Sequence, residues 1–362
     1  MRKITVKLGN RSYQIFIQYG LLDAVSEQIS HILGKPRIMV ITDYNVGTLY
    51  ADKLTKNLTD SGFDVFLAQV PAGERSKSID TAENLYNFAL EHNMDRTSVI
   101  LALGGGAIGD LAGFVAATYM RGIGFIQVQT SLLAQVDSCV GGKVAVNLNR
   151  VKNIIGAFYQ PQMVLIDPKV LKTTPDRAYR EGMAEVIKYG IVYDEDFFCW
   201  LEQKDLGRLS KEDIIHVIQR SCQIKSEIVS CDETENGLRA VLNFGHTVGH
   251  ALESLLGQGV LLHGEAVALG MIIETKIALN RGLIDRETHD RILTLIKSIT
   301  PVTIHRGIDV ESLIYLMKFD KKNTAGNITF ILPQKIGTVK KYNDITREEI
   351  TNALKEMDSA NL

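Results

Sequence analysis

Three of the chain's eight histidines, His246, His250 and His263, fall in one short window. In Asn243-Phe244-Gly245-His246-Thr247-Val248-Gly249-His250 the first two stand four residues apart. A helix there projects both imidazoles from one face, where they can share a metal, a phosphate or a reacting proton. His263 and Glu265 head a long apolar run that reads as the start of a buried helix. Each histidine alone is compatible with capping or packing, whereas three at this spacing form the pattern of a site.

Other segments carry complementary chemistry. Gly104-Gly105-Gly106-Ala107-Ile108-Gly109-Asp110 satisfies G-x-G-x-x-G after an apolar run and before a helical one. In that context glycines let a pyrophosphate approach the amides at a helix N-terminus, although a tight strand-to-helix turn needs them too. The acidic residue expected about 20 positions downstream is missing, so a ribose-binding carboxylate would come from Asp43 or from Glu74 in the loop ending at Lys77. Gly141-Gly142-Lys143 sets an ammonium beside exposed amides, a phosphate contact without the spacing of a Walker A loop, and Lys152-Asn153 adds a cation and an amide. Thr174 as N-cap, Pro175 at the first helical position and Gly190 past the end frame a helix of about four turns. Within it Glu185 and Lys188 share a face, with Glu181 one turn earlier. They form either a surface ion pair or the place where Glu185 supplies an oxygen ligand to a histidine site, and spacing leaves both open.

The elements that must position these groups change in texture along the chain. Residues 37–43, 63–70, 98–103, 124–128 and 163–167 read as short buried strands, separated by helix-length segments such as 78–92. That alternation predicts a Rossmann-like, largely parallel α/β sheet. Beyond about Lys169 longer amphipathic patterns, 211–230 and 265–283 among them, predict a mostly α-helical second half. The expected division is 1–172 and 173–362. With 40 basic against 42 acidic residues the net charge is −2, so no global field recruits nucleic acid or an anionic membrane. Cys139, Cys199, Cys222 and Cys231 form no C-x-x-C pair, the N-terminus alternates like a strand, and no apolar stretch reads as a membrane span. The expectation is a cytoplasmic protein.

The succession Gly104 to Phe114, Tyr119 to Gly122, Ser131 to Ala134, Asp137-Ser138, Gly141 to Lys143, Glu181 to Gly190 and Leu242 to Ala251 closely resembles the 3-dehydroquinate synthase family of sugar-phosphate cyclases, in order and through essentially the whole chain. The resemblance implies an NAD-binding domain, a helical metal- and substrate-binding domain and an active site in the cleft between them. It implies a carbon–oxygen lyase that takes 3-deoxy-arabino-heptulosonate 7-phosphate to 3-dehydroquinate and phosphate, with NAD and zinc or cobalt, as a homodimer. Position by position, it implies Glu185, His246 and His263 as metal ligands and moves His250 to the substrate phosphate. Asp43, Asn45, Glu74, Lys77, Gly105, Gly106, Asp110, Thr130, Ser131, Asp137, Lys152 and Thr173 correspond to dinucleotide-side residues, with Asp137 also near the reacting centre. Lys143, Lys152, Asn153 and Lys322 match the phosphate side, Lys321 competing with Lys322 for that place, and Arg121 resembles an arginine that reaches the neighbouring subunit's site. Lys188, Lys225, Glu235, Arg239 and Asn243 match residues around the carboxylate and ring hydroxyls. Such a cation set suits a substrate bearing both phosphate and carboxylate.

Two departures stand out. Thr130-Ser131 replaces a Thr-Thr pair and keeps the hydroxyl, while Cys139 replaces a serine with a weaker donor. A cyclase acting on another sugar phosphate, a metal-dependent alcohol or glycerol dehydrogenase and a non-catalytic NAD-binding module are the rival readings. The first is weakened by Lys225, Arg239 and Asn243, the second by the cations that a polyol does not need, and the third by ligand-type residues that binding alone does not require.

Overall fold

The computed structural model describes residues 1–149, 151–235, 237–257, 259–300, 308–318 and 328–359. The chain opens with β1 (Arg2–Val6), β2 (Tyr13–Ile17), α1 (Val25–Leu33), β3 (Ile38–Asp43), α2 (Tyr44–Asp60), β4 (Val65–Val70), α3 (Ile79–Glu91), β5 (Val99–Gly104), α4 (Gly106–Thr118) and β6 (Gly124–Gln129). A π-helical turn at Ala134–Ser138 leads to the antiparallel pair β7 (Lys143–Leu148) and β8 (Val151–Phe158), then to β9 (Met163–Ile166). Helices follow: α5 (Asp176–Val192), α6 (Glu195–Glu202), α7 (Lys211–Cys231), α8 (His246–Leu256), α9 (His263–Asn280), α10 (Arg286–Ile299) and α11 (Val310–Lys318). A second antiparallel pair, β10 (Phe330–Lys335) and β11 (Thr338–Tyr342), precedes α12 (Arg347–Ser359).

The chain divides into two compact units, one of residues 1–174 and 211–234, the other of residues 175–210 and 235–362. A single boundary at 172/173 therefore does not describe it. The helix α7, expected in the second half, packs on β1 and on the π-helical turn of the first unit. Its burial is the reason: Val217, Ile218, Cys222, Ile224, Ile228 and Val229 need an apolar partner, and the first unit supplies it.

In the first unit the sheet runs β1-β2-β9-β6-β5-β3-β4, parallel throughout except for the β1–β2 pair. Alternation sorts the strand residues onto two faces. Val40, Leu101 and Leu103 pack with Val25 and Ile29 of α1 and Leu54 and Leu58 of α2. Met39, Ile41, Ile100 and Ala102 pack with Leu85 of α3, Leu111 and Val115 of α4, and Val144 and Val146 of β7. The chain runs outward from β3 to β4, then crosses back to β5, which reverses the winding. The crevice outside the carboxyl ends of β3 and β5 is the place where such sheets bind ligands.

In the second unit α5 is buried without interruption from Gly182 to Val192 and packs against α6, α9 and α10. Two framing signals there work differently from expectation. The helix begins at Asp176 with Pro175 at the N-cap, and it runs through Gly190 to Val192. Gly190 is an approach point rather than a stop: a Cβ there would stand 3.0 Å from Cβ and 3.1 Å from Cα of Phe198 on α6. The helix α9 is buried along most of its length and passes so close to α8 that a Cβ on Gly270 would lie 1.9 Å from Gly245 O. Among the described residues no helix is long and apolar enough to cross a membrane.

The last helix is tied to α9 by charge. Arg281 donates from Nε to Glu349 Oε1 at 2.5 Å and from Nη2 to Oε2 at 3.0 Å, and its Nη1 reaches Asp344. The Arg281 hydrogen bonds pull the Glu349 carboxyl down to about 2, against the upward push of burial. A folded-state value below the ordinary 4.5 means that the unfolded chain binds the proton more readily. The stabilisation is therefore complete above about 4.5 and fades as pH falls towards about 2. Glu349→Gln is expected to lower the thermal midpoint at neutral pH, with the gap to the parent closing across that window. A gap of constant size between pH 5 and 2 would contradict this pairing.

Candidate active site

In the first unit the functional groups collect at the winding reversal. Gly104 ends β5, and Gly105 caps α4 without any side-chain bond to the helix amides. A Cβ on Gly105 would stand 3.2 Å from Ser131 Oγ and one on Gly106 3.3 Å from Ser138 Oγ. The amide-lined end of α4 thus has the shape and polarity of a pyrophosphate cradle. Asp43 closes β3 beside it, since Thr42 pairs with Leu103. Asp43 is thus one of the two carboxylates, with Glu74, that the sequence offers in place of the missing downstream acid. Asp43 Oδ1 also accepts from Asn45 N at 2.9 Å and Val46 N at 3.0 Å, capping α2. Thr130 N donates to Gly104 O at 2.9 Å, and Ser131 Oγ accepts from Ala134 N at 3.3 Å.

A buried ion cluster lies next to α4. Lys77, 4 % exposed, donates to Asp110 Oδ2 at 2.8 Å and Asn153 Oδ1 at 2.6 Å, with Glu74 Oε1 at 3.3 Å. Burial pulls the ammonium down, but Asp110 and Glu74 more than offset it and the Lys77 value is raised. Asp110 is itself pushed up by burial, more than Lys77 pulls it down. Asn147 completes the cluster, donating to Glu74 Oε1 at 3.0 Å and accepting from Asn153 N at 2.8 Å. Sequence reasoning gave Asn147 no role. Its signal was an amide in an alternating apolar run, where such a residue is disfavoured without a partner. On α7, Lys225 Nζ reaches Asp137 O at 2.7 Å and Oδ1 at 2.8 Å. Lys143 is exposed at the start of β7, Lys152 is half-buried on β8, and Arg121 is exposed. Thr173 stands apart from the cluster, its Oγ1 2.6 Å from Tyr50 Oη.

The second unit gathers the histidines. His246 and His250 lie on α8 and His263 opens α9, with ligand-type ring nitrogens all within 4.8 Å of one another. Glu185 faces them from α5: its Oε1 is 3.7 Å from His246 Nε2 and 3.8 Å from His263 Nε2. Glu185 is fully buried, and neither carboxylate oxygen has a hydrogen-bond partner, although Lys188 Nζ lies against Oε2 without hydrogen-bond alignment. With Lys188 only 2 % exposed, the surface-pair reading of these two residues is excluded. A buried carboxylate without donors is strongly unfavourable unless a cation sits beside it. His246 Nδ1 is 3.1 Å from Phe244 O, a contact that a proton on Nδ1 satisfies, and Nε2 is turned towards Glu185. Burial pulls His263 down, but Glu253, Glu185 and Glu181 more than offset it and the value is raised, which marks a place that favours positive charge. Two histidine nitrogens and the Glu185 Oε1 that faces them fit a divalent metal. Nearby, Asn243 Nδ2 donates to Glu235 Oε1 at 2.8 Å and Arg239 is 3 % exposed. Lys321 and Lys322 lie outside the described residues.

Family models described as 3-dehydroquinate synthase N-terminal and C-terminal match residues 67–181 and 182–323. A 3-dehydroquinate synthase of Desulforamulus reducens is 49 % identical over 361 residues, covering 98 % of this chain and all of that one. The chain belongs to the 3-dehydroquinate synthase family. Two solved structures of related cyclases have the same fold. A 2-epi-5-epi-valiolone synthase from Streptomyces hygroscopicus subsp. jinggangensis, with NAD+ and Zn2+ bound, is 28 % identical with a TM-score of 0.89, over 99 % of this chain and all of the other. A 2-deoxy-scyllo-inosose synthase in complex with carbaglucose-6-phosphate, NAD+ and Co2+ is 26 % identical with a TM-score of 0.88, over 98 % of this chain and 99 % of the other. As a 3-dehydroquinate synthase family member the chain is a lyase that processes a sugar phosphate.

The buried cluster yields a stability test. Lys77→Met leaves Asp110 without its cation and is expected to destabilise the fold by about 1–3 kcal/mol. Adding Asp110→Asn should recover part of that loss in denaturant unfolding. Strictly additive losses would show that the two groups are not coupled.

Proposed function

We propose that the chain converts 3-deoxy-D-arabino-heptulosonate 7-phosphate to 3-dehydroquinate and inorganic phosphate, a step of the shikimate route to chorismate and the aromatic amino acids, using NAD and zinc or cobalt. The observation that carries the chemistry is the buried Glu185 carboxylate, which lacks hydrogen-bond donors and faces two imidazole nitrogens. Among the cyclases, the choice of substrate rests on 49 % identity to a 3-dehydroquinate synthase, against 28 % and 26 % to enzymes named for other ring products.

Glu185, His246 and His263 hold the metal in this reading, and the glycine cradle at α4 with Asp43 holds the dinucleotide. When bound, NAD serves as a temporary hydride acceptor and the metal polarises the reacting hydroxyl, so phosphate elimination proceeds with no net redox change. Lys188, against Glu185 Oε2, places a cation beside the carboxylate. Arg239 offers a buried guanidinium suited to a carboxylate, and Glu235 orients the Asn243 amide towards ring hydroxyls. By resemblance to the family, His250, Lys143, Lys152, Asn153 and Lys322 correspond to phosphate-side residues. Lys225 holds Asp137 through both its backbone and its side-chain oxygen, fixing that carboxylate beside the reacting carbons. Holding both ends of the opened chain favours intramolecular aldol closure over release.

The same reading makes the enzyme a cytoplasmic homodimer in which Arg121 reaches a neighbouring subunit. Arg121 is exposed, as a residue reaching another subunit must be. The test of the activity follows phosphate, dehydroquinate and absorbance of NADH together, with the heptulosonate phosphate, NAD and added Zn2+ or Co2+. Phosphate and dehydroquinate in equal amounts, without accumulation of NADH, are expected. Accumulating NADH without phosphate would mean a dehydrogenase of the same architecture.

A further inference from the structure

An acidic residue sits in the buried middle of α9. Glu274 is fully buried, and its Oε2 accepts a hydrogen bond from Gly245 N at 2.8 Å. The N–H of Gly245 and the carbonyl of Phe244 are the two ends of one peptide group. That carbonyl receives the Nδ1 proton of His246 at 3.1 Å. A chain of contacts thus runs from the Glu274 carboxyl group, through a single planar amide, to the ring whose Nε2 faces Glu185. Hydrogen bonds in such a series reinforce each other, and a fixed amide fixes the imidazole's tautomer and direction.

The packing shows why this contact forms. Gly245 has φ +79°, and a Cβ there would stand 2.6 Å from Val267 O and 2.5 Å from Met271 Cγ. Gly270 meets the same backbone from the other side, a Cβ on it falling 1.9 Å from Gly245 O. Two glycines let the helices approach to bare backbone. Glu274, one turn beyond Gly270 on the same face of α9, is thereby delivered to the amide that precedes His246. An acid in a helix buried on all sides is expensive unless it performs a task of this kind.

We infer that Glu274 is a positioning residue for His246: it holds the Phe244–Gly245 amide so that His246 presents Nε2 to a metal. This rests on the reading of His246 as a ligand. The test uses the full-length, metal-stripped protein titrated with Co2+, comparing the parent with Glu274→Leu, Glu274→Gln and His246→Ala, with NAD affinity as a control. Glu274→Leu should raise the Co2+ dissociation constant by about tenfold or more. Glu274→Gln, whose amide oxygen still accepts from Gly245, should stay within about threefold of the parent. NAD affinity should be unchanged throughout. If His246→Ala keeps full Co2+ affinity, the ligand reading fails. If His246→Ala loses the metal while Glu274→Leu binds as the parent does, the role of Glu274 fails alone. Side-chain 15N NMR of the metal-free parent decides without relying on the leucine variant folding. His246 should be protonated at Nδ1, its resonance identified by its loss in His246→Ala, and a ring protonated at Nε2 would overturn the inference.

Discussion

The second unit is organised around one carboxylate that water cannot reach and that has no aligned hydrogen-bond partner. Burying Glu185 would by itself oppose folding, because an ionised group removed from water loses far more than packing returns. What offsets it is an assembly of groups from three helices: Lys188 one turn along α5, His246 from α8 and His263 from the first residue of α9. The requirement to bring these together explains the close approaches around the site. Gly264 lets α9 start against Glu181, where a Cβ would fall 2.1 Å from the Glu181 carbonyl oxygen, and Gly249 lets α8 lie on Ala266. The glycines are needed for proximity, and proximity is needed for the charge arrangement.

The first unit solves a related problem with an ion cluster. Lys77 is withdrawn from water, and the hairpin of β7 and β8 returns Asn153 to accept from it and Asn147 to hold Glu74 and Asn153. That hairpin is anchored by the backbone, with Asn147 N donating to Lys77 O at 2.8 Å. The glycine cradle can stay open because the charges around it already satisfy one another. In the proposed reading a dinucleotide would meet preformed amides and a fixed carboxylate at Asp43 rather than a surface that must reorganise.

Much of this was legible from residue pattern. The five buried strands were readable because apolar runs of strand length ended in turn residues, and Ser78, which accepts from Thr81 N, marked the start of α3 as a cap should. The histidine window was legible for the same local reason. What escaped depends on contacts distant in sequence. Gly190 reads as a helix stop in one dimension and is a packing point in three, because only the fold brings Phe198 against it. The spacing of His246 and His250 shows a shared face, but only the placement of Glu185 singles out His246 and His263 as the pair it faces. The helix α7 looked like part of the helical half because periodicity reports an apolar face and says nothing of its partner. Glu274 was visible as an acid in an apolar helix, yet its target amide lies 29 residues earlier in the chain.

The most direct test of the central claim is anomalous X-ray scattering at the zinc edge from crystals grown with Zn2+. One strong peak is expected within about 2.0–2.2 Å of a Glu185 oxygen, His246 Nε2 and a His263 ring nitrogen, with His250 outside bonding distance. A zinc held by His246, His250 and His263, with Glu185 remote from the ion, would contradict it.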